Sequence, residues 1–442
     1  MNRRRTRAGL VWAVVVALAG VPCAASATDG TLADMEAIRA EISALRAEQA
    51  ERISEIQRNE ARLAALEAAM AKLETPAQDR PRVDSHAVSS TPAAGVDPPD
   101  AARPDLQLSG DFRVRYETNS DPLVADDRSR GVIRGRLRAG YAVSDRLYLG
   151  GMLSTGDPAN PRTGDATLTG FGADLQVKLA QAFLRGDFSA LQVIVGKMPQ
   201  PFQRTELVWD GDVNPQGVAA NYQLPWGNSG SIRLTGIYSP VDEAAAGPDS
   251  DMVGGQLTIG HALAPDLRLE LAAAYYNYRL KTAPGTNPAA YRGNLVAPGG
   301  GYLSDFNLLD GMATVTYSGF GPRWPARLVF DYVENLGASV SDDTGMEFDL
   351  VLGRAAQRGD WRLAYGYSEA GVDAVLAAFS TDNTDLATNY LQHSLSVDYM
   401  LSPKLMLNAT AFHYRPKNSL YAPPRPPDQW IDRLRLNLQL AF

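Results

Sequence analysis

Arginine carries the most pronounced chemical pattern in the chain. It recurs at every second position in three places: Arg113 and Arg115; Arg134, Arg136 and Arg138; Arg433 and Arg435. Residues two apart on an extended strand share a face, so each group presents a row of permanently charged forks suited to carboxylate or phosphate. Other chemistries have less to build on. His86, His261, His393 and His413 are far apart in sequence and Cys23 is the one cysteine, which leaves neither a metal-ligand spacing nor a disulfide framework. His393 and His413 have Ser394 and Ser396 nearby, yet strand alternation turns both histidines outward with the apolar set. No nucleophile, base and orienter then come within reach of one another, and we expect neither catalysis nor a cofactor. The formal charge of −8, from 42 Lys+Arg against 50 Asp+Glu, removes the electrostatic basis for broad nucleic-acid binding.

The elements that hold these arginines read as strands. From Leu106, apolar Leu108, Phe112, Val114 and Tyr116 alternate with Gln107, Ser109, Asp111, Arg113, Arg115 and Glu117. The end of the chain repeats the pattern, with Leu434, Leu436, Leu438, Leu440 and Phe442 set between Arg433, Arg435, Asn437 and Gln439. A soluble sandwich buries its apolar face and shows modest polarity outside. Arginine rows opposite an apolar face fit a water-filled lumen and a lipid-facing exterior better. Short turn signals lie near Ser144-Asp145, Gly186-Asp187, 225–230, Pro265-Asp266, 319–325, 358–360 and Ser402-Pro403. Between them fall longer polar stretches near 118–131, 156–172, 198–216, 239–250, 281–305, 335–344, 369–391 and 415–429. Seven short and eight long connections, strictly alternating, predict sixteen strands over residues 106–442. The expected fold is therefore all-β: a 16-stranded antiparallel transmembrane up-and-down β-barrel with tight periplasmic turns and extended outer loops. Tyr116, Tyr141, Tyr332, Trp361, Tyr367 and Tyr399 fall near strand ends, where interfacial aromatic girdles sit. No segment after the N-terminus has the 18 or more continuous apolar residues of a membrane helix.

Ahead of the strands the chain changes character three times. Residues 1–27 combine Arg3, Arg4, Arg5 and Arg7 with an apolar stretch from Ala8 to Val21 and then Ala25-Ser26-Ala27, the build of a secretory signal peptide. We expect cleavage after Ala27; a lipidation site at Cys23 is the alternative, but Gly20-Val21-Pro22 before it lacks the usual Leu. From Met35 to Leu73, steps of three and four place apolar residues at nine of twelve seam positions. This predicts an α-helical coiled coil within residues 28–75, or else a single amphipathic helix lying on a neighbouring surface. Residues 76–105, rich in Pro, Ala, Ser and Asp, read as a flexible linker.

Several strings carry a family likeness. They are 195–202 (VGKMPQPF), 209–212 (WDGD) leading to Gly217-Val218-Ala219, 331–335 (DYVEN), and 361–367 followed by Asp373-Ala374. In this order the chain resembles the bacterial outer-membrane porin family with an N-terminal periplasmic coiled coil and a C-terminal β-barrel. The resemblance implies a passive diffusion channel for small hydrophilic solutes in the outer membrane of a Gram-negative bacterium; with an even number of strands both barrel ends face the periplasm, where the coiled coil is expected to sit and to join three barrels into a homotrimer. Phe442, closing an alternating strand, looks like the signal read by the barrel assembly machinery.

In porins of this architecture the third outer loop folds into the lumen. Here that loop spans residues 198 to 216 and carries Arg204, Glu206, Asp210 and Asp212. Arg113, Arg115, Arg134, Arg136, Arg138, Arg433 and Arg435 come from strands that are neighbours once the barrel closes, and are expected to form one pore-lining basic wall. A basic wall facing an acidic loop would orient dipolar solutes, and few interior acids near seven arginines point to mild anion preference. The same arginines could instead pair with Asp111, Glu117 and neighbouring acids and simply brace the wall. Asp382 and Asp385, on an outer loop, are expected to be solvated rather than to bind a metal. A structural outer-membrane anchor, with the coiled coil tethered to the cell wall or a periplasmic partner, is the competing function.

Overall fold

The computed structural model describes residues 106–442 apart from 124–126, 169, 171–174, 228, 245–246, 283–285, 287–292 and 423–428. The signal peptide, coiled coil and linker expected over 1–105 lie outside the described residues. The chain runs through β1 (Leu106–Ser120), β2 (Arg128–Ser144), β3 (Leu147–Thr155), β4 (Ala166–Thr167), β5 (Val177–Phe188), β6 (Leu191–Lys197) and β7 (Gln216–Trp226). It continues through β8 (Gly230–Asp242), β9 (Ser250–Ala264), β10 (Leu267–Arg279), β11 (Phe306–Tyr317) and β12 (Ala326–Asn335). It ends with β13 (Thr344–Gly353), β14 (Trp361–Ala370), β15 (Tyr390–Ser402), β16 (Leu405–Pro416) and β17 (Ile431–Ala441).

Every strand except β4 forms the wall, each paired antiparallel with its neighbours in sequence, and β1 pairs with β17 to close a sixteen-strand barrel. The two-residue β4 was not foreseen; it lies on β2 beyond the end of β3, with Val132 opposite Thr167 and Ile133 opposite Ala166. Turn positions follow the expected punctuation with one slip: β5 runs on to Phe188, and the reversal falls at Ser189, which has φ 59°, rather than at Gly186-Asp187.

Alternation sorts the side chains. Leu434, Leu436, Leu438 and Leu440 are exposed on the outer face, while Arg433, Arg435, Asn437 and Gln439 are buried in the lumen. Lipid offers no partner for a backbone N–H, so the seam must be as fully bonded as the rest of the wall. Ten residue pairs join β1 to β17, and the last residue continues the ladder: Gly110 N donates to Phe442 O at 2.9 Å and Phe442 N donates to Gly110 O at 3.0 Å. Glycine is needed at 110, because a Cβ there would lie 2.6 Å from the backbone oxygen of Arg136, as well as against the Phe442 ring. Trp361 and Tyr399, with ring centroids 4.6 Å apart, sit with Tyr141 at the short-turn end, whereas Tyr116, Tyr332 and Tyr367 sit toward the long loops.

A charge on the lipid face should therefore be costly where one in the lumen is not. Leu438→Arg, in mid-strand, is expected to destabilise by about 2–4 kcal/mol. Gln439→Ala, its lumen-facing neighbour, should change stability far less in urea titrations of the folded barrel in liposomes.

Candidate functional site

The lumen is unequal around its circumference. Two long connections fold into it and fill the side toward β5–β14. The first, residues 198–215, leaves the wall between β6 and β7. At its base Gly196 and Gly217 face each other in register with φ of 117° and 121°. A Cβ at either would fall 2.3 Å or 2.2 Å from a backbone oxygen, so only glycine allows this inward bend. Met198, Phe202, Leu207, Val208, Trp209 and Val213 are then buried against Tyr276, Tyr278, Phe306, Leu308 and Val333.

Polar clamps fix the loop to the wall. The Gln256 side chain of β9 accepts from Gln203 N at 2.8 Å and donates to Gln203 O at 2.7 Å, and Thr205 Oγ1 donates to Asp331 Oδ2 of β12 at 2.5 Å. Burial of so much apolar surface supplies the driving force, and the clamps satisfy backbone groups that would otherwise be stranded away from water.

The second connection, residues 371–389, forms a strap across the lumen. Val372, Val375, Leu376, Ala377 and Ala378 are buried, and Phe379 stacks on Trp209 with centroids 5.6 Å apart. Asn294 donates to Val372 O and Val375 O at 2.9 and 2.8 Å, Asn335 donates to Asp373 O at 2.8 Å, and Asp373 accepts from Ser304 Oγ at 2.6 Å. At its tip Asp382 N donates to Asp210 Oδ2 of the first loop at 3.2 Å. From there the strap reaches the arginine wall: Arg433 binds Asn383 O at 3.0 Å and Asp385 at 2.5 Å, and Arg435 binds Asn383 Oδ1 at 3.0 Å. Asp385 is thus a counter-ion to Arg433 with a side chain still 56% exposed, a pairing that adds to the solvated role expected for it.

All seven wall arginines face the lumen on β1, β2 and β17. The expectation of few nearby acids is corrected, because every one of them has a carboxylate partner. Asp111 Oδ2 lies 2.8 Å from Arg136 and 3.0 Å from Arg138, while its Oδ1 lies 3.1 Å from Arg134. Glu117 pairs with Arg435 at 2.7 Å and Arg130 at 2.5 Å. Asp212 reaches across from the first loop to Arg136 at 2.9 Å. Asp165, delivered by the β3–β5 connection just before β4, binds Arg113 through Oδ1 and Arg115 through Oδ2, the latter at 2.7 Å. Asp111 and Glu117 were readable as partners from their own strand, whereas Asp165, Asp212 and Asp385 arrive on loops 48 to 76 residues away in sequence, beyond a local reading. Among the described residues, eight guanidinium groups on this wall meet five carboxylates in ion pairs, so positive charge remains in excess.

The loop carboxylates divide by environment. Burial would raise Asp165 and Asp212, but Arg113 and Arg115 beside the former, and Arg136 and Arg134 beside the latter, hold both below the usual carboxylate range. Burial pushes Asp210 well up, helped by Asp382, Glu206 and Asp212, and burial also raises Glu206 despite Arg204.

Arg204, Glu206, Asp210 and Asp212 line the same cavity as Arg113, Arg115, Arg134, Arg136, Arg138 and Arg435. It has a volume of about 810 Å³ and extends from Asp382 of the strap to Gly353, Arg354 and Met406 near the short turns. Arg433 is held aside under the strap. His393 and His413 face outward in register, where His413 stacks on Trp430 with centroids 4.1 Å apart, while Ser394 and Ser396 line the lumen. Among the described residues no group of His, Cys, Asp and Glu is arranged to hold a metal ion. Gln256, Asn294, Asp165 and the strap were missed in the sequence. The available signal for the strap was the apolar run 375–379 inside a connection otherwise read as polar.

The described chain is thus a closed sixteen-strand barrel with an apolar exterior, an infolded loop and a charged lumen. The sequence profile of a family described as "Putative porin" matches residues 119–295, which bears out the likeness to a porin family and contains the strings at 195–202, 209–212 and 217–219. Among solved structures, OprB of Pseudomonas putida at high pH has a TM-score of 0.52 at 12% identity, covering 76% of this chain and 94% of that one. A loop-deletion mutant of OmpT, an outer membrane protein of Vibrio cholerae, has a TM-score of 0.45 at 12% identity over 76% and 99% of the two chains. A mutant porin of Rhodopseudomonas blastica has a TM-score of 0.42 at 11% identity over 76% and 100%. None of the curated proteins matches in sequence. At these identities the structural likeness is one of fold; with the family match it supports an outer-membrane channel and not an enzyme.

The two kinds of loop carboxylate set opposite limbs of a stability profile. Asp210 and Glu206, raised on folding, oppose stability as pH climbs above the ordinary carboxylate range near 4. Asp165 and Asp212, lowered on folding, stabilise above that range and lose their contribution as pH falls through their folded values. The heat-modifiability midpoint is expected to peak in mild acid and fall steeply below about pH 3. In Asp212→Asn the acid-side fall should be shallower; an unchanged acid limb would remove Asp212 from this role.

Proposed function

We propose that the chain is a water-filled diffusion channel for small hydrophilic solutes, mildly preferring anions and assembled from three copies in the outer membrane of a Gram-negative bacterium. The single observation carrying this reading is the charge-lined cavity of about 810 Å³ inside a closed barrel. A barrel serving only to anchor a periplasmic tether has no need of such a lumen, so the tether reading is not favoured. Anion preference rests on two physical effects that point the same way. Guanidinium groups outnumber their carboxylate partners on the wall, and on the facing loop burial pushes Asp210 well up while Arg204 pairs with Glu206 at 3.3 Å, so the loop opposes the wall with less free negative charge than its composition suggests. The coiled coil is read from the heptad seam between Met35 and Leu73, its periplasmic side from an even number of strands, and three copies are the assembly it would join. Recognition by the barrel assembly machinery comes from Phe442 at the end of an alternating strand.

Purified mature protein in a planar bilayer across a KCl gradient should give large persistent steps in multiples of three, with a reversal potential on the chloride side. Arg138, the most exposed of the seven at 39%, should reduce that preference when changed to Ala. Folded, heat-modifiable protein that stays silent would contradict the channel; preference for potassium would leave the channel standing and transfer control to the acidic loop.

A further inference from the structure

Asp165 stands in an unusual relation to the arginine wall. It does not belong to the wall but is carried to it by the connection between β3 and β5, whose course is fixed by its own contacts. Lys178 Nζ donates to Asp157 O, Asn160 O and Thr163 O at 3.2, 2.6 and 2.8 Å, and Thr155 Oγ1 donates to Gly164 O at 2.6 Å. The two-residue β4 then adds to the edge of β2 and leaves the Asp165 carboxylate bridging Arg113 and Arg115, one oxygen to each. Arg113 lies directly opposite Arg134 in the β1–β2 register. Like charges facing across a ladder repel, so this position is unfavourable without an anion. The buried Nε atoms of Arg113 and Arg134 have no hydrogen-bond partner among the described residues, so the donors here outnumber the acceptors supplied.

We propose that Arg113 and Arg115, with Arg134 behind them, form a binding site for the carboxylate group of small organic acids, and that Asp165 is a tethered carboxylate occupying it. The inference rests on the channel reading above and adds the solute class. An aspartate side chain is acetate on a backbone leash, and the wall binds it as it would bind a free carboxylate, with one charged donor to each oxygen. A tethered competitor acts at an effective concentration of the order of millimolar. It therefore weakens apparent binding of a passing acid. A channel benefits from that weakening, since a solute must bind well enough to enter and poorly enough to leave. Exchange requires that the segment from Gly164 to Thr167 release Asp165, at the cost of the Thr155–Gly164 bond and the pairing of β4 with β2; the arginines stay in place on β1 and β2.

The experiment is a titration of potassium acetate, at constant ionic strength, into chloride-conducting channels of the wild type and of Asp165→Ala. Emptying the site should make chloride current fall saturably with acetate, by about twofold at saturation as the bound anion neutralises the wall, while the wild type responds weakly and without saturation. Asp349→Asn, which removes a lumen carboxylate away from this cluster, should shift the reversal potential without creating a saturable acetate response. If Asp165→Ala does not reach the folded, heat-modifiable form, Asp165→Asn keeps the shape of the side chain, removes its charge, and is read in the same way. Identical acetate responses in wild type and variant, or an equal saturable response in Asp349→Asn, would overturn the tethered-ligand assignment while leaving the channel intact. Saturation by phosphate but not acetate would overturn the carboxylate class. A wild-type protein that never conducts would overturn the channel reading and this inference with it.

Discussion

The rest of the structure depends on one constraint: in hydrocarbon, each backbone N–H and C=O must be bonded within the protein. A sheet can meet it only by having no edge. Pairing of β1 with β17 supplies this, and the bond between Gly110 and Phe442 carries the ladder to the last residue. Closure makes neighbours of the first, second and last strands, and so gathers arginines from opposite ends of the chain onto one wall. It also encloses a space that the loops must partly fill.

How the space is filled follows from solvation. One side is an apolar packing of the 198–215 loop and the strap on aromatic residues of β10 and β11, sealed from water and pinned by Gln256, Asp331, Asn294 and Asn335. The other side is wet and charged. Among the described residues each of the seven wall arginines has a carboxylate partner: Asp111 alone serves three guanidinium groups, and loops bring further acids. Sharing keeps the wall from bursting apart by repulsion while leaving it positive. Bracing and selectivity are compatible roles for the same side chains, since a wall can be paired locally and charged in sum.

Much of the fold was legible because it depends on local alternation. Period-two patterning and turn residues reveal wall strands wherever one face meets lipid, and they put Arg113 and Leu438 on the correct faces. Two-residue β4 was beyond reach, since so short a segment has no period. The interior was legible only in part. Met198, Trp209 and Asp373 stood in strings that drew attention, and the structure shows why these segments belong together: they begin one infolded loop, form its tip, and anchor the strap. Yet nothing in those strings says that Asn335 reaches Asp373 or that Asp165 reaches Arg113. Such contacts are made where a long connection folds back onto strands a step or two away in the wall, and local alternation carries no mark of where a loop will return.

The infolded segments also have a mechanical consequence. A hollow cylinder of single-layer sheet is soft against flattening, because bending between strands strains few bonds. Here the first loop ties β6 and β7 to β9, β12 and β2, and the strap ties β12 to β17 and β1. These ties act as chords across a hoop. Lateral pressure from the bilayer, or a change in its thickness, would otherwise squeeze the wall toward an ellipse. With the chords in place that load is carried by the same close-packed side chains that border the narrow part of the lumen, and such packing deforms little. The width available to a solute is thereby made stiff against the membrane around it, and the passage keeps its cross-section as the surrounding lipid changes.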